Sequence, residues 1–138
     1  MKALFFVFAM TVSLSSSATA YNIKDHCKAS MQETELNAGQ IERVCSWNIN
    51  QQFISCAVEL DSTALSSVQS VNICVKTNSP SFVDCTMKLN DMRVPSLAAA
   101  GFCQKNSSKE YIKCVDDLVS TVSSPILAAN ICLVDENN

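Results

Sequence analysis

The chain has 138 residues, 48% of them apolar, and its 13 acidic against 10 basic side chains leave a net charge of −3. A mildly acidic chain without basic clusters argues against nucleic acid or an anionic membrane as a partner, because phosphate recognition needs concentrated lysine and arginine. Eight cysteines in so short a chain fit an oxidising compartment, where they are far more often bridged than free.

In chain order, residues 1–20 read as a secretory leader: Lys2 gives the positive start, Ala3 to Leu14 the apolar stretch, and Ala18-Thr19-Ala20 a small-residue cleavage site. The apolar run is too short to span a bilayer and ends in Ser15-Ser16-Ser17, and no later segment is apolar enough to span one. A secreted or periplasmic protein is therefore expected, starting at Tyr21 and without an integral membrane segment after cleavage. Residues 21–138 have the length of a single domain.

That domain is a repeat. Cysteines stand at 27, 45, 56, 74, 85, 103, 114 and 132, so gaps of 18 and 11 alternate and the period is 29. A fixed period of this size marks stacked supersecondary units, here 27–55, 56–84, 85–113 and 114–138. Before the leading cysteine of a unit come Phe53-Ile54, Phe82-Val83 and Tyr111-Ile112, and four residues after it come Met31, Leu60, Leu89 and Leu118. Aromatic, cysteine and leucine spaced three and then four apart lie on one helical face. This first helix, A, of about twelve residues, should start at Asn50, at Ser79 before Pro80, and near Ser107. It should fade near Asn37, Ser66, Pro95 and Ser124. A second helix, B, carries Val68, Val71 and Cys74, then Leu97, Ala100 and Cys103, then Ile126, Ala129 and Cys132. Val44, Ile73, Phe102 and Ile131 make helix B apolar on more than one side, as a helix sandwiched between its hairpin partner and the next unit requires. Small pairs at Ala99-Ala100 and Ala128-Ala129 would allow close helix contact. The expected fold is all-α, a short solenoid of four disulfide-stapled helical hairpins.

Translational symmetry leaves two cysteine pairings. Joining those 11 apart strands Cys27 and Cys132, whereas joining those 18 apart uses all eight, as Cys27 with Cys45, Cys56 with Cys74, Cys85 with Cys103 and Cys114 with Cys132. Counting favours the second, and both are geometrically open on antiparallel helices. Zinc is the poorer use of these cysteines, since zinc ligands usually come in pairs two to four residues apart.

Catalytic and cofactor signatures are missing. His26 is the only histidine, no serine sits in a glycine-framed turn, and Asp116-Asp117 point about 100° apart on a helix. No metal or cofactor is implied, and a binding protein is expected rather than an enzyme. Candidate contacts with an unidentified protein partner are Trp47, the only tryptophan, which falls in a loop, and the variable helix-A positions Glu59, Lys88 and Asp117. Repeat one looks like a solvated cap through Lys24, Glu33, Glu35, Glu42 and Arg43. Repeat four is more apolar, so Leu127 and Leu133 are expected at a partner site or a homodimer contact. The alternative is a carrier of a small apolar ligand held between helices. Asn106-Ser107-Ser108 matches the glycan acceptor pattern in the loop before repeat four.

Overall fold

The computed structural model describes residues 22–135, so the leader 1–20, the expected first mature residue Tyr21 and the tail 136–138 lie outside the described residues. The described residues form helices and no strands, in the order α1 (Ile23–Met31), α2 (Ala38–Cys45), α3 (Gln51–Asp61), α4 (Ser67–Lys76), α5 (Pro80–Asp91), α6 (Ser96–Lys105), α7 (Lys109–Val119) and α8 (Pro125–Asp135). Odd-numbered helices are the A helices and even-numbered ones the B helices. Each A packs against the B that follows it, A helices stack in succession (α1 on α3, α3 on α5, α5 on α7), and α6 packs on α8. The result is a two-layer array of four helical hairpins.

Disulfides join Cys27–Cys45, Cys56–Cys74, Cys85–Cys103 and Cys114–Cys132, all at sequence separation 18. Each ties an A helix to its B partner with Cα atoms 5.7 to 5.9 Å apart, within the range a disulfide accepts. The four intramolecular bridges suit an oxidising environment. No helix among the described residues is long and apolar enough to cross a membrane.

The core follows the columns seen in the sequence. Phe53, Phe82 and Tyr111 are buried, as are Ile54, Val83 and Ile112, and Met31, Leu60 and Leu89 behind them. The buried Tyr111 hydroxyl donates to the Ala129 carbonyl at 3.2 Å, tying α7 to α8. Ala99, Ala100, Ala128 and Ala129 are all buried, as a close α6–α8 contact requires.

Helices α3, α5 and α7 have 11, 12 and 11 residues, close to the expected twelve, but the A helices end before the polar column expected to close them. The A helices stop at Met31, Asp61, Asp91 and Val119, and Asn37, Ser66 and Pro95 are instead the residues that start the B helices. Asn37 and Ser66 each complete a reciprocal capping box, with Gln40 and Gln69. A polar column between two helical patterns ends one helix or starts the next, and here it does the latter. Likewise the cap of α7 is Ser108, whose hydroxyl accepts from the Tyr111 N–H, and not Ser107.

Two further columns define the A-to-B turn. Thr34, Thr63 and Thr121 each donate a hydroxyl to the carbonyl three residues back, at 2.7, 2.7 and 2.9 Å, satisfying a carbonyl left open at the helix end. Repeat three has Met92 in that column. There Arg93 takes φ 67, its N–H donates to the Asn90 carbonyl, and the Val94 N–H donates to the Leu89 carbonyl. That is a Schellman cap, with buried Val94 and Leu89 providing its usual apolar contact. Leu36, Leu65 and Val94 then tuck into the core.

Successive repeats are also pinned by backbone. The Glu35 N–H donates to Ser67 Oγ at 2.9 Å, and the equivalent Ala64 N–H to Ser96 Oγ at 3.2 Å. Both serines are buried. At the third joint the corresponding residue is Pro125, which has no hydroxyl, and the Arg93 N–H is satisfied inside its own turn.

Candidate functional site

The two layers present different faces. Charged side chains crowd the A helices and their turns, among them Asp25, Lys28, Glu59, Asp84, Lys88, Asp117 and their neighbours. By contrast α4 and α6 each carry one charge, the terminal Lys76 and Lys105, and α8 has none from Pro125 to Val134. Both lysines complement the negative end of a helix dipole. All the large apolar side chains found exposed among the described residues lie on the B side: Val68, Val75, Leu97, Ile126, Leu127 and Val134 on the helices, and Trp47 just after α2.

This corrects the expectation that Val68, Leu97 and Ile126 belong to a sandwiched core. They are 48%, 59% and 39% exposed and repeat every 29 residues along the outer face. Helix B is broadly apolar, but the next layer it would need for burial is not supplied by the described residues. The buried side of the B helices is instead the column Ile41, Ser70, Ala99 and Ala128, next to the bridged cysteines.

The residues singled out from sequence therefore divide into two groups. Glu59, Lys88 and Asp117 share one exposed column on the A face. Lys88 pairs with Asp84 at 2.9 Å and Asp117 with Lys113 at 2.6 Å, each one turn along the same helix. Glu59 borders the clefts on either side of α3. Leu127 is exposed on α8 and Leu133 is half-buried there. Trp47, 39% exposed, meets Val75 across a cleft of about 230 Å³ floored by Ile49 and Phe53, which joins repeat one to the apolar face. Sequence reasoning overlooked Val75 and treated the Val68 column as interior. The available signal was the lack of charge through α4 and α6 before their last residue.

Clefts recur between successive A helices. The one between α1 and α3, about 260 Å³, contains His26, Ser30, Glu33 and Glu59, with His26 Nε2 3.2 Å from Gln51 Nε2. Between α5 and α7 a cleft of about 550 Å³ is lined by Met92 and Ile112 together with Lys88, Lys109, Lys113, Asp91 and Asp116. The ion pairs found among the described residues lie at the surface. Glu42, 2.6 Å from Lys28, raises the lysine pKa chiefly by accepting its hydrogen bond, and Asp117 does the same to Lys113. Among the described residues no three metal-ligating side chains converge. Asn106 lies in the loop between α6 and α7, half-buried, and its Oδ1 accepts from the Ser108 N–H at 2.8 Å.

Comparison of the chain with protein-family models, with curated proteins and with solved structures finds no match. The function has to be argued from the surfaces themselves.

Proposed function

We propose that this protein is an exported recognition module that binds another protein through its B face, and that it acts by binding rather than by catalysis. The supporting observation is the segregation of exposed apolar side chains onto one layer of a covalently clamped frame. Large apolar side chains left exposed together on one layer favour an interaction surface, and a rigid array limits the ordering entropy that association costs. Trp47 at its edge supplies an aromatic anchor of the kind that dominates binding energy.

Protein captured by the mature chain from the fluid around its source cell provides the test. Val68→Asp combined with Leu97→Asp should abolish capture, while Glu59→Lys combined with Lys88→Glu on the A face should leave it intact. The opposite pattern would move the binding surface to the A face and refute this reading.

A second reading, a carrier of a small apolar ligand, draws on the α5–α7 cleft, whose size suits such a molecule and whose rim offers lysines for an anionic head group alongside Asp91 and Asp116. Displacement of a fluorescent fatty acid tests it, with Lys109→Glu expected to abolish binding. The B-face reading is preferred because this cleft is an open groove, whereas carriers bury most of their ligand.

A further inference from the structure

The four bridges are alike in spacing but not in cover. Seven of the eight cysteines are exposed by 3% or less, and Cys114 alone is half-buried. The difference extends along its column. Four residues after Cys27, Cys56 and Cys85, the side chains of Met31, Leu60 and Leu89 are fully buried, whereas Leu118, four after Cys114, is again half-buried. Helices α1, α3 and α5 each have the next A helix stacked on them, and α7 has none among the described residues. The side of an A helix that carries cysteine and leucine is therefore the side its successor covers, and on α7 that side meets water. At the two central bridges the backbone leaving helix B closes in as well. The Thr77 carbonyl lies 3.7 Å from Cys56 Sγ and the Asn106 carbonyl 3.7 Å from Cys85 Sγ, and their partial negative charge would repel an approaching thiolate.

We propose that Cys114–Cys132 is a thiol-exchange site, opened in the folded protein by a small external thiol of the glutathione type, while the other three bridges are structural and closed to it. Exchange requires a thiolate to reach one sulfur of the bond, so access decides which bridge reacts. The incoming thiolate bonds to Cys114 Sγ and the Cys114–Cys132 bond breaks. Cys132, which is buried, leaves as a thiolate and takes a proton from water. A second small thiol then attacks the mixed disulfide at its outer sulfur, which frees Cys114 and releases the small thiol as its own disulfide. Two external thiols are oxidised and one bridge is reduced, so the electrons balance.

The fold should survive this opening. Helix α8 still packs on α7 and α6, the Tyr111 hydroxyl still donates to the Ala129 carbonyl, and three bridges remain. What changes is the freedom of α8, which carries the exposed Ile126, Leu127 and Val134. Fraying of the array ends is the competing route to selective opening, and it makes a different prediction. Repeat one, like repeat four, packs on a single neighbouring repeat, so fraying would open Cys27–Cys45 as readily. Access singles out Cys114–Cys132, because Cys27 and Cys45 are fully buried.

Timed treatment of the mature, oxidised chain with reduced glutathione, followed by acid quench, alkylation and peptide mass mapping, tests the proposal. Cys114–Cys132 should open faster than any other bridge by about tenfold or more, with glutathione found on Cys114 and helical circular dichroism retained. Simultaneous opening of all four bridges overturns the proposal, as does Cys27–Cys45 opening at the same rate or glutathione appearing first on Cys132. A second measurement uses single unpaired cysteines and oxidised glutathione. Cys132→Ala, which leaves Cys114 without its partner, should take up one glutathione in buffer, while Cys103→Ala, which leaves Cys85, should take up none until urea unfolds it. A Cys114 that stays unmodified until urea is added, or a Cys85 that reacts as fast, would equally remove the exchange site.

Discussion

Removing the bridge of repeat three by Cys85→Ala with Cys103→Ala should destabilise the whole array by about 3 kcal/mol, the chain-entropy value for freeing an 18-residue loop in the unfolded state. Both cysteines are buried and each alanine removes only one sulfur, so the packing loss adds little beyond this. With stabilities of small domains near 5–15 kcal/mol, the variant remains folded. Urea unfolding followed by circular dichroism reads the loss as a midpoint shift of roughly 1–3 M for slopes of 1–3 kcal/mol per M. The same double change at Cys27 and Cys45 should act differently, because α1 and α2 contact one neighbouring repeat while α5 and α6 contact two. Repeat one should fray alone, with fast amide exchange in α1 and α2 and a smaller shift of the main transition. A shift below about 0.5 M for the repeat-three variant, or equal shifts at both sites, would refute the view that each bridge restrains one unit of a cooperative stack.

Three smaller perturbations probe the local chemistry. Ser70→Ala should stabilise by about 1 kcal/mol, since Ser70 Oγ is buried without a hydrogen-bond partner and the same column holds Ala99 and Ala128; a destabilised variant in thermal melts would show that the hydroxyl is satisfied. Arg93→Gly should raise the melting midpoint slightly, removing the ~1 kcal/mol cost of a side chain at φ 67, and a fall would mean that the arginine makes a compensating contact. Raised pKa values at Lys28 and Lys113 mean that their bonds to Glu42 and Asp117 contribute fully below the ordinary lysine value of 10.5 and fade as pH rises through the raised values. Melting should therefore weaken at strongly alkaline pH, and Lys28→Met should flatten that decline; a variant with the wild-type profile would remove the Lys28 pair from the account.

Much of this architecture is legible in the spacing of one residue type. Cysteines that recur every 29 residues fix the unit, and the requirement that none be stranded favours the pairing the structure contains. Periodicity finds the A helices because Phe53, Cys56 and Leu60 and their equivalents face one core. It fails at Asn37 and Ser66, because a capping side chain looks the same from sequence whether it ends a helix or begins one. It fails more consequentially at Val68, Leu97 and Ile126. An apolar column says that a face avoids water, and only the packing of layers says whether this chain or another molecule provides the cover.

The sulfur framework and the uncharged face are connected. A two-layer array without bridges depends on apolar burial for stability, and an exposed apolar layer would compete with the core for the same contacts during folding. Bridges that hold each hairpin closed let the B helices show valine, leucine and isoleucine outward without the hairpin reopening to bury them. Most of the surface charge lies on the A helices and their turns, where Lys88 with Asp84 and Lys113 with Asp117 form neutral pairs, while the B helices add exposed Gln69, Asn72, Gln104 and Asn130. Leu97→Lys should on this view raise solubility and leave the fold untouched, since the side chain is 59% exposed. A Leu97→Lys protein with a lower urea midpoint would mean that the leucine contributes to the monomer's own stability, and the division of labour between the layers would fail.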